Sequence, residues 1–283
     1  MKKQSQLGLV VEGKSANSAV LRLPTMATDL GPIKSASLRV ARRLANMLHA
    51  GYAVGDYEEL QAARLILLRI PDSAVARIIE EISNCELVFR DLAFVLCESW
   101  LTVDALEPLR TRGASVATFV NLPSPQHNWF VVEGHISAVR QIRRLLERNE
   151  MRTLEIRPGS KPLLFAAELL TTALPVPLFL AAQQALRASG ISGNHLGTAL
   201  DLMGQKMFKD FSKGARLIWG GPLTECSPET ANDHLKNLRA SHPQIAAIVE
   251  EQLAWAKHKL PKQKGSSAIR KGAAASAAAS MQG

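Results

Sequence analysis

The stretch LVVEGKSANSAV, residues 9–20, decides how the start of this 283-residue chain is interpreted. An apolar run leads into Gly13, and small residues follow it. This order predicts a strand, a tight turn and a helix, the unit at which nucleotide-binding folds hold a phosphate. The usual pattern of that turn is G-x-G-x-x-G, and its glycine positions here are Val11, Gly13 and Ala16. The stretch is therefore a dinucleotide site, a modified one or the remains of one, and it is better evidence for the fold than for a working cofactor site.

Strand-like and helix-like segments alternate over the first half of the chain. The strongest strand, RLILLRI at 64–70, is ended by Pro71, and Asp72 is the expected N-cap of the next helix. The other predicted strands are residues 7–11, 33–37, 92–97, 115–122, 129–133 and 152–156. Such alternation predicts a largely parallel sheet with helices on both faces. We therefore expect an α/β Rossmann-like domain over residues 1–158, with ligands at the carboxyl ends of its strands.

The composition changes after residues 158–159, and no strand pattern follows. Four helices are predicted, over residues 161–189 with a kink at Pro-Val-Pro, 195–211, 228–241 behind the N-cap Ser227, and 243–259. Residues 159–260 thus form an expected all-α domain. Polar residues and prolines interrupt the apolar stretch 163–186, which predicts a buried helix rather than a membrane span. Residues 261–283 are basic and alanine-rich, and a disordered tail is expected.

Composition excludes several classes of partner and site. The net charge is +9, but aromatic residues make up only 5% and no nucleic-acid-binding signature occurs, so no nucleic-acid partner is expected. The three cysteines are far apart, and neither they nor the histidines have metal-ligand spacing. The basic N-terminus MKKQSQ is not followed by a secretory apolar region. A cytoplasmic protein without a metal or a membrane partner is the expectation.

Four segments narrow the fold further. They are LILLRIPDSAVARIIEEI at 65–82, DALEPLRTRGASVATF at 104–119, SKPLLFAAELL at 160–170 and GGPLTECSPETANDHLKNL at 220–238. In this order they resemble a largely uncharacterised family of Rossmann-like NAD(P)-binding oxidoreductases, related to pyrroline-5-carboxylate reductase and the 6-phosphogluconate dehydrogenase group. The resemblance extends over roughly residues 6–258. It implies a dinucleotide along the first turn, a small-molecule substrate between the domains and a homodimer formed through the helical domain.

The resemblance also implies cofactor contacts. At the first turn these are Gly13, Lys14, Ser15 and Ala16. The end of the second strand carries Lys34, Ser35, Ser37 and Arg39, and a basic, serine-rich end favours NADP over NAD. Ile70 ends the strongest strand and Pro71 follows it, where backbone passes under the nicotinamide half of a cofactor. The alternative is that Lys34 and Arg39 are ordinary surface charges.

Several positions depart from the family pattern. Valine at position 11 resists a tight turn, and Glu12 adds a negative charge beside a pyrophosphate. Cys97-Glu98-Ser99-Trp100 replaces a His-Thr-Ser-Gly-like turn, and Val120-Asn121-Leu122-Pro123 replaces a His-Pro-Leu-like segment. Phe165 and Ala173 stand where the family often has histidine and asparagine.

Two polar residues remain as catalytic candidates. Lys161 is a candidate acid or anion-orienting group, and Ser99 a candidate hydrogen-bond donor. Two functions stay open. One is an NADP-dependent oxidoreductase that acts on an unknown small metabolite by hydride transfer. The other is a non-catalytic dehydrogenase relative with a binding, regulatory or structural role, in which Val11 and Glu12 prevent dinucleotide binding.

Overall fold

The computed structural model describes residues 7–13, 18–123, 128–212 and 226–259. The chain divides into two compact units, the first ending at Glu168 and the second beginning at Leu169. Three of the predicted cofactor contacts, Lys14, Ser15 and Ala16, lie outside the described residues, as does the predicted tail at 261–283.

One eight-stranded sheet forms the centre of the first unit, in the order β3-β2-β1-β4-β5-β6-β7-β8. Each neighbouring pair is parallel except β6 and β7. The largely parallel sheet is thus confirmed, and the short β3 is an addition to the predicted strands. The strands are β1 Leu7–Val11, β2 Leu30–Ser35, β3 Tyr52–Ala53, β4 Leu65–Arg69, β5 Ala93–Cys97, β6 Ser115–Asn121, β7 Trp129–Gly134 and β8 Arg152–Glu155.

Helices cover both faces of this sheet, because side chains alternate between the faces along each strand. Leu7, Leu9 and Val11 belong to one core cluster, and Val10 belongs to the other. The first cluster includes residues of α1 (Met26–Asp29), α2 (Leu38–Leu48) and α5 (Ile136–Glu147). The second includes residues of α3 (Asp72–Ser83) and α4 (Glu107–Thr111). The Rossmann-like fold class is therefore confirmed.

Two local predictions in the first unit need correction. A helix was expected directly after the first turn, but the described residues there form only a 3-10 turn, Val20–Arg22, and α1 follows beyond Pro24. Asp72 is the first residue of α3 rather than its N-cap, which is Pro71 with extended backbone. The Asp72 carboxylate accepts a hydrogen bond from Ser99 instead of capping its own helix. By contrast, Ser37 is the N-cap of α2, and its Oγ accepts a hydrogen bond from Val40 N at 3.3 Å, as is common for serine at this position.

All elements described after Ser160 are helical, which confirms the predicted composition of the C-terminal region. Here the structure shows α6 Lys161–Glu168, a π-helical turn Leu169–Ala173, α7 Val176–Ala188, α8 Asn194–Ser212, α9 Pro228–Ser241 and α10 Pro243–Lys259. The kink expected at Pro-Val-Pro within 161–189 lies where the helical run changes character. The run is interrupted between Ala173 and Val176, since prolines cannot donate the helix hydrogen bonds required there.

The expected burial of this apolar run is also wrong. Lys161–Ala188 is long and apolar enough to cross a membrane, and none of its most apolar 18-residue window is buried. Exposed side chains in the run include Leu170, Leu174 and Leu180. Among the described hydrophobic residues of the second unit, only Ala181, Leu196 and Ala246 are buried. A helix can satisfy its backbone without a core, so apolar composition alone did not guarantee burial.

Candidate functional site

The candidate site lies at the carboxyl ends of β1 and β4 in the first unit. These strands are neighbours, yet the chain leaves β1 toward β2 on the other side and returns to β4. That reversal is the switch point at which open parallel sheets bind ligands. Glu12 and Pro71 follow the two strands, and Glu12 N donates to Arg69 O at 3.1 Å.

The turn after β1 tolerates valine at the first glycine position. Val11 is the buried last residue of the strand, and the positive φ of 75° falls at Gly13. A Cβ on Gly13 would lie 2.8 Å from Pro71 Cγ, closer than side chains approach. The strand therefore runs through the first glycine position, and glycine is needed where the chain turns against Pro71.

The charge of Glu12 is balanced by an arginine on α3. Arg77 Nη2 lies 2.6 and 2.8 Å from the two Glu12 carboxylate oxygens, and Nη1 lies 2.8 Å from Glu81. The hydrogen bond to Glu12 is the main cause that raises the pKa of Arg77, which stays protonated. Sequence inspection missed this pair because the two residues are 65 positions apart.

A cavity of about 270 Å³ opens beside this pair. Its walls include Val11, Glu12, Lys34, Ser35, Tyr57 and Arg77. Lys34 Nζ lies 4.9 Å from the centre of the Tyr57 ring, a cation–π contact, and donates to Ser35 O at 3.1 Å. Ligand pockets span about 300–1,000 Å³, so this cavity suits one part of a ligand, such as a nucleoside.

The predicted contacts at the end of β2 have different surroundings. Lys34 and Ser35 line the cavity, although the Ser35 hydroxyl donates to Val11 O at 2.7 Å. Ser37 caps α2, and Arg39 is exposed on that helix. Beyond β4, the side chain of Ile70 is buried in the core, so only its backbone is placed for a ligand.

A wider depression of about 1,020 Å³ lies at the opposite edge of the sheet. Leu7, Arg64 and Leu65 line it, at the amino ends of β1 and β4. Ligands of parallel sheets bind at the carboxyl ends, so the smaller cavity is the better candidate.

Glu98 connects three chain segments at the carboxyl edge of the sheet. It follows β5 in the left-handed conformation, with φ 55°. Its Oε1 accepts from Ser18 Oγ and Val20 N, each at 3.0 Å, and its Oε2 lies 2.9 Å from Arg69 Nε. Arg69 Nε is buried and makes no hydrogen bond, so this contact is an ion pair with poor alignment. The glutamate in place of a smaller turn residue was visible in the sequence, but its partners were not.

Lys161 is buried in the first unit, with 1% of its surface exposed. Its Nζ donates to Ser99 O at 2.6 Å, Leu101 O at 2.8 Å and Thr118 Oγ1 at 2.6 Å. These three acceptors use all the donors of an ammonium group. Burial lowers the pKa of Lys161 from 10.5 to about 8, and nearby Glu133 opposes that shift.

Buried acceptors and donors surround this lysine. Glu133 pairs with Thr118 across β6 and β7, and its Oε1 accepts from Val103 N at 2.9 Å while its buried Oε2 is unpaired. Ser99 is buried, and its hydroxyl donates to Asp72 at 2.6 Å. Both polar residues predicted for catalysis are thus brought to one edge of the sheet, where each is bonded within the protein.

Three further departures from the family pattern, Cys97, Trp100 and Phe165, have surroundings that the structure shows. Trp100 and Phe165 meet edge to face, with ring centres 5.4 Å apart. Cys97 is fully buried, and desolvation raises the pKa of its thiol well above its usual range, which makes it a poor nucleophile. Within the described residues, no group of His, Cys, Asp and Glu could hold a metal ion.

Comparison with known proteins supports the fold. A sequence family described as a domain of unknown function, DUF2520, matches residues 128–252. An imine reductase from Myxococcus stipitatus in complex with NAD+ is 15% identical, with 91% of this chain and 96% of that chain covered and a TM-score of 0.64. A reductive aminase from Aspergillus terreus in complex with NADPH and ethyl-5-oxohexanoate is 13% identical, with coverage of 95% and 99% and a TM-score of 0.61.

A third similar structure is protein TM1727 from Thermotoga maritima. It is 15% identical, with 89% of this chain and 97% of that chain covered and a TM-score of 0.62. None of the curated proteins compared with the sequence matches it significantly. At these identities the similarity establishes the fold, while function has to be argued from the site.

Proposed function

We propose that the first unit binds a nicotinamide dinucleotide, with NADP preferred, and that the protein is of the oxidoreductase type. The cavity beside the Gly13 turn carries this proposal, because it lies at the switch point and has Lys34 and Arg77 in its walls. The imine reductase bound to NAD+ and the reductive aminase bound to NADPH share the fold. Descent from the group that includes pyrroline-5-carboxylate reductase fits the same proposal.

Charge at the cavity favours the phosphorylated cofactor. Lys34 lies at the end of β2, where dehydrogenases that prefer NAD carry an acid for the ribose hydroxyls. Its ammonium over the Tyr57 ring is placed to attract a ribose phosphate, and Arg39, the second residue of α2, is a second cation. Arg77 is shared with Glu12 and Glu81 and offers less free charge.

The bound cofactor would supply hydride transfer to or from a small metabolite. Gly13 lets the first turn pack directly against Pro71, and the backbone of this turn would line the path of the phosphates. Lys161 would hold the segment from Ser99 to Leu101 in place at the end of β5. In this proposal the buried lysine keeps the edge of the site rigid, and the substrate stays unidentified.

A specific observation favours the second candidate, a non-catalytic relative. Ser99 and Lys161 are both buried and fully bonded, so neither offers a proton to a substrate in this arrangement. General acid–base catalysis requires a titratable group within reach of the reacting atoms. A protein that binds a dinucleotide without turning over a substrate would have this arrangement.

Assembly as a homodimer in the cytoplasm completes the proposal. The second unit exposes Leu170, Leu174, Leu180, Phe208 and Trp255, while few of its described side chains are buried. Large exposed apolar surfaces mark interfaces with proteins or membranes. We propose that a second copy of this chain covers them.

The binding proposal is tested by titrating purified protein with NADPH and with NADH, following heat or fluorescence. We expect NADPH to bind more tightly, and Lys34→Gln to weaken NADPH more than NADH. Lys236→Gln, at an exposed position on α9, is the matched control. Absence of binding at millimolar concentrations of either cofactor would overturn the proposal, and equal effects of Lys34→Gln would overturn the NADP preference.

A further inference from the structure

The Glu98 carboxylate spans the switch point of the sheet. β4 lies between β1 and β5, and Glu98 reaches from the end of β5 past Arg69, at the end of β4. Its other oxygen holds Ser18 and Val20, which follow β1. A side chain from one strand therefore ties together the segments between which the fold places its ligand.

The local backbone indicates that this contact has a cost. Glu98 has a φ of 55°, a conformation that residues with a Cβ seldom adopt. Such strain persists where surrounding contacts hold it in place, and it concentrates at functional sites. Here three contacts from two other segments hold the carboxylate, and its side chain is only 11% exposed.

Arg69 is incompletely satisfied by Glu98. The Nε–H of Arg69 is buried and unbonded although a carboxylate oxygen lies 2.9 Å away. Guanidinium groups bind carboxylates and phosphates best through aligned, paired hydrogen bonds. An anion entering along β1 and β4 could align with Arg69 better than Glu98 does.

We propose that Glu98 is a built-in competitor for the phosphates of the dinucleotide, and that it determines how tightly this crevice binds an anionic ligand. This inference rests on the proposed function. Glu98 pairs with Arg69 and adds a negative charge, so a diphosphate entering the crevice must displace it and is repelled while it remains. The wild-type protein therefore binds dinucleotide weakly, and removal of this one charge strengthens binding.

Two variants test the proposal. Glu98→Gln keeps an oxygen that can accept from Ser18 and Val20 but removes the charge. Glu98→Gly removes the side chain and relieves the backbone strain, because glycine adopts positive φ freely. It is the second test variant in case Glu98→Gln folds poorly. Glu107→Gln is the matched control, since it removes an exposed acid paired with Arg110 on α4.

The measurement is the Kd of each protein for NADPH and for inorganic pyrophosphate, by calorimetry at fixed ionic strength. We expect both Glu98 variants to bind both ligands at least tenfold more tightly than wild type, and Glu107→Gln to match wild type. Measurable NADPH binding with equal Kd in all proteins would overturn this inference and leave the proposed function standing.

The pyrophosphate titration distinguishes a failure of this inference from a failure of the proposed function. If no protein binds NADPH, the proposed function falls, and tighter pyrophosphate binding by the Glu98 variants would still support the competitor. If pyrophosphate binding is equal or absent in all proteins as well, the inference is overturned too.

Discussion

Lys161 Nζ and Thr118 Oγ1 lie 2.6 Å apart inside the first unit, where a lysine that opens a helix meets a hydroxyl from the middle of the sheet. The same ammonium donates to two carbonyl oxygens of the segment that follows β5. This contact ties residues 43 positions apart and decides what the lysine can do.

Replacing Lys161 by methionine should destabilise the protein. The apolar side chain leaves the two carbonyls and the Thr118 hydroxyl without their donor, and each unpaired buried group costs about 1–3 kcal/mol. Because the variant no longer buries a charge, part of that loss is offset, and we expect the free energy of unfolding to fall by about 2–3 kcal/mol. Urea unfolding measures it. Lys236→Met, on exposed α9, should change stability by less than about 0.5 kcal/mol, and equal effects would contradict the structural role.

The stability difference between wild type and Lys161→Met should depend on pH. Burial lowers the pKa of Lys161 from 10.5 to about 8, so the unfolded chain binds more protons than the folded one between these values. Wild-type stability therefore rises relative to Lys161→Met as the pH increases from about 8 toward 10.5. Urea unfolding of both proteins at pH 7 and pH 10 measures this change, and a constant difference would contradict it.

Gly13→Ala should lower stability and dinucleotide affinity together. The new Cβ requires a positive φ and would meet Pro71 Cγ at 2.8 Å, so we expect a loss of about 1–2 kcal/mol. Gly197→Ala is the matched control, because Gly197 lies within α8 with no neighbouring atom in the way. That control should be neutral or stabilising by up to about 1 kcal/mol, since alanine favours a helix.

Val11→Gly should not restore a stronger cofactor site. Val11 ends β1 with its side chain buried, and the turn that needs glycine comes at Gly13. Removing the side chain leaves a cavity that costs about 2–4 kcal/mol. Urea unfolding and NADPH titration should show lower stability without a gain in affinity; tighter binding would show that valine impairs the turn.

Charges on the exposed apolar run should break the proposed homodimer. Leu170→Glu and Leu174→Glu each place a carboxylate on a surface that we expect to be buried between copies. Light scattering after gel filtration should report a dimer for wild type and a monomer for the variants. Met47→Glu, an exposed position on α2, is the control, and a monomeric wild type would contradict the proposal.

The site was harder to predict than the fold because its contacts join distant parts of the chain. Gly13 and Pro71 follow predicted strands and Lys34 lies within one, so the order of the elements was enough to place them near the carboxyl edge of the sheet. The pairs Glu12–Arg77 and Arg69–Glu98 have no local pattern, because ion pairs form wherever the fold brings opposite charges together. Val11 looked incompatible with a tight turn because the turn was expected at position 11. The structure places it at Gly13.

The sequence by itself determined the parallel sheet and the helical C-terminal region. Apolar runs such as LGLVV at β1 and caps such as Ser37 and Ser227 act within a few residues, so their effects can be read locally. Tertiary structure alone decided the surroundings of Lys161 and Glu98. Burial and hydrogen bonding depend on groups dozens of positions away in the chain. For that reason Lys161, a candidate catalytic residue in the sequence, is a buried and fully bonded ammonium in the structure. Glu98, a departure from the family pattern, connects segments across the switch point of the sheet.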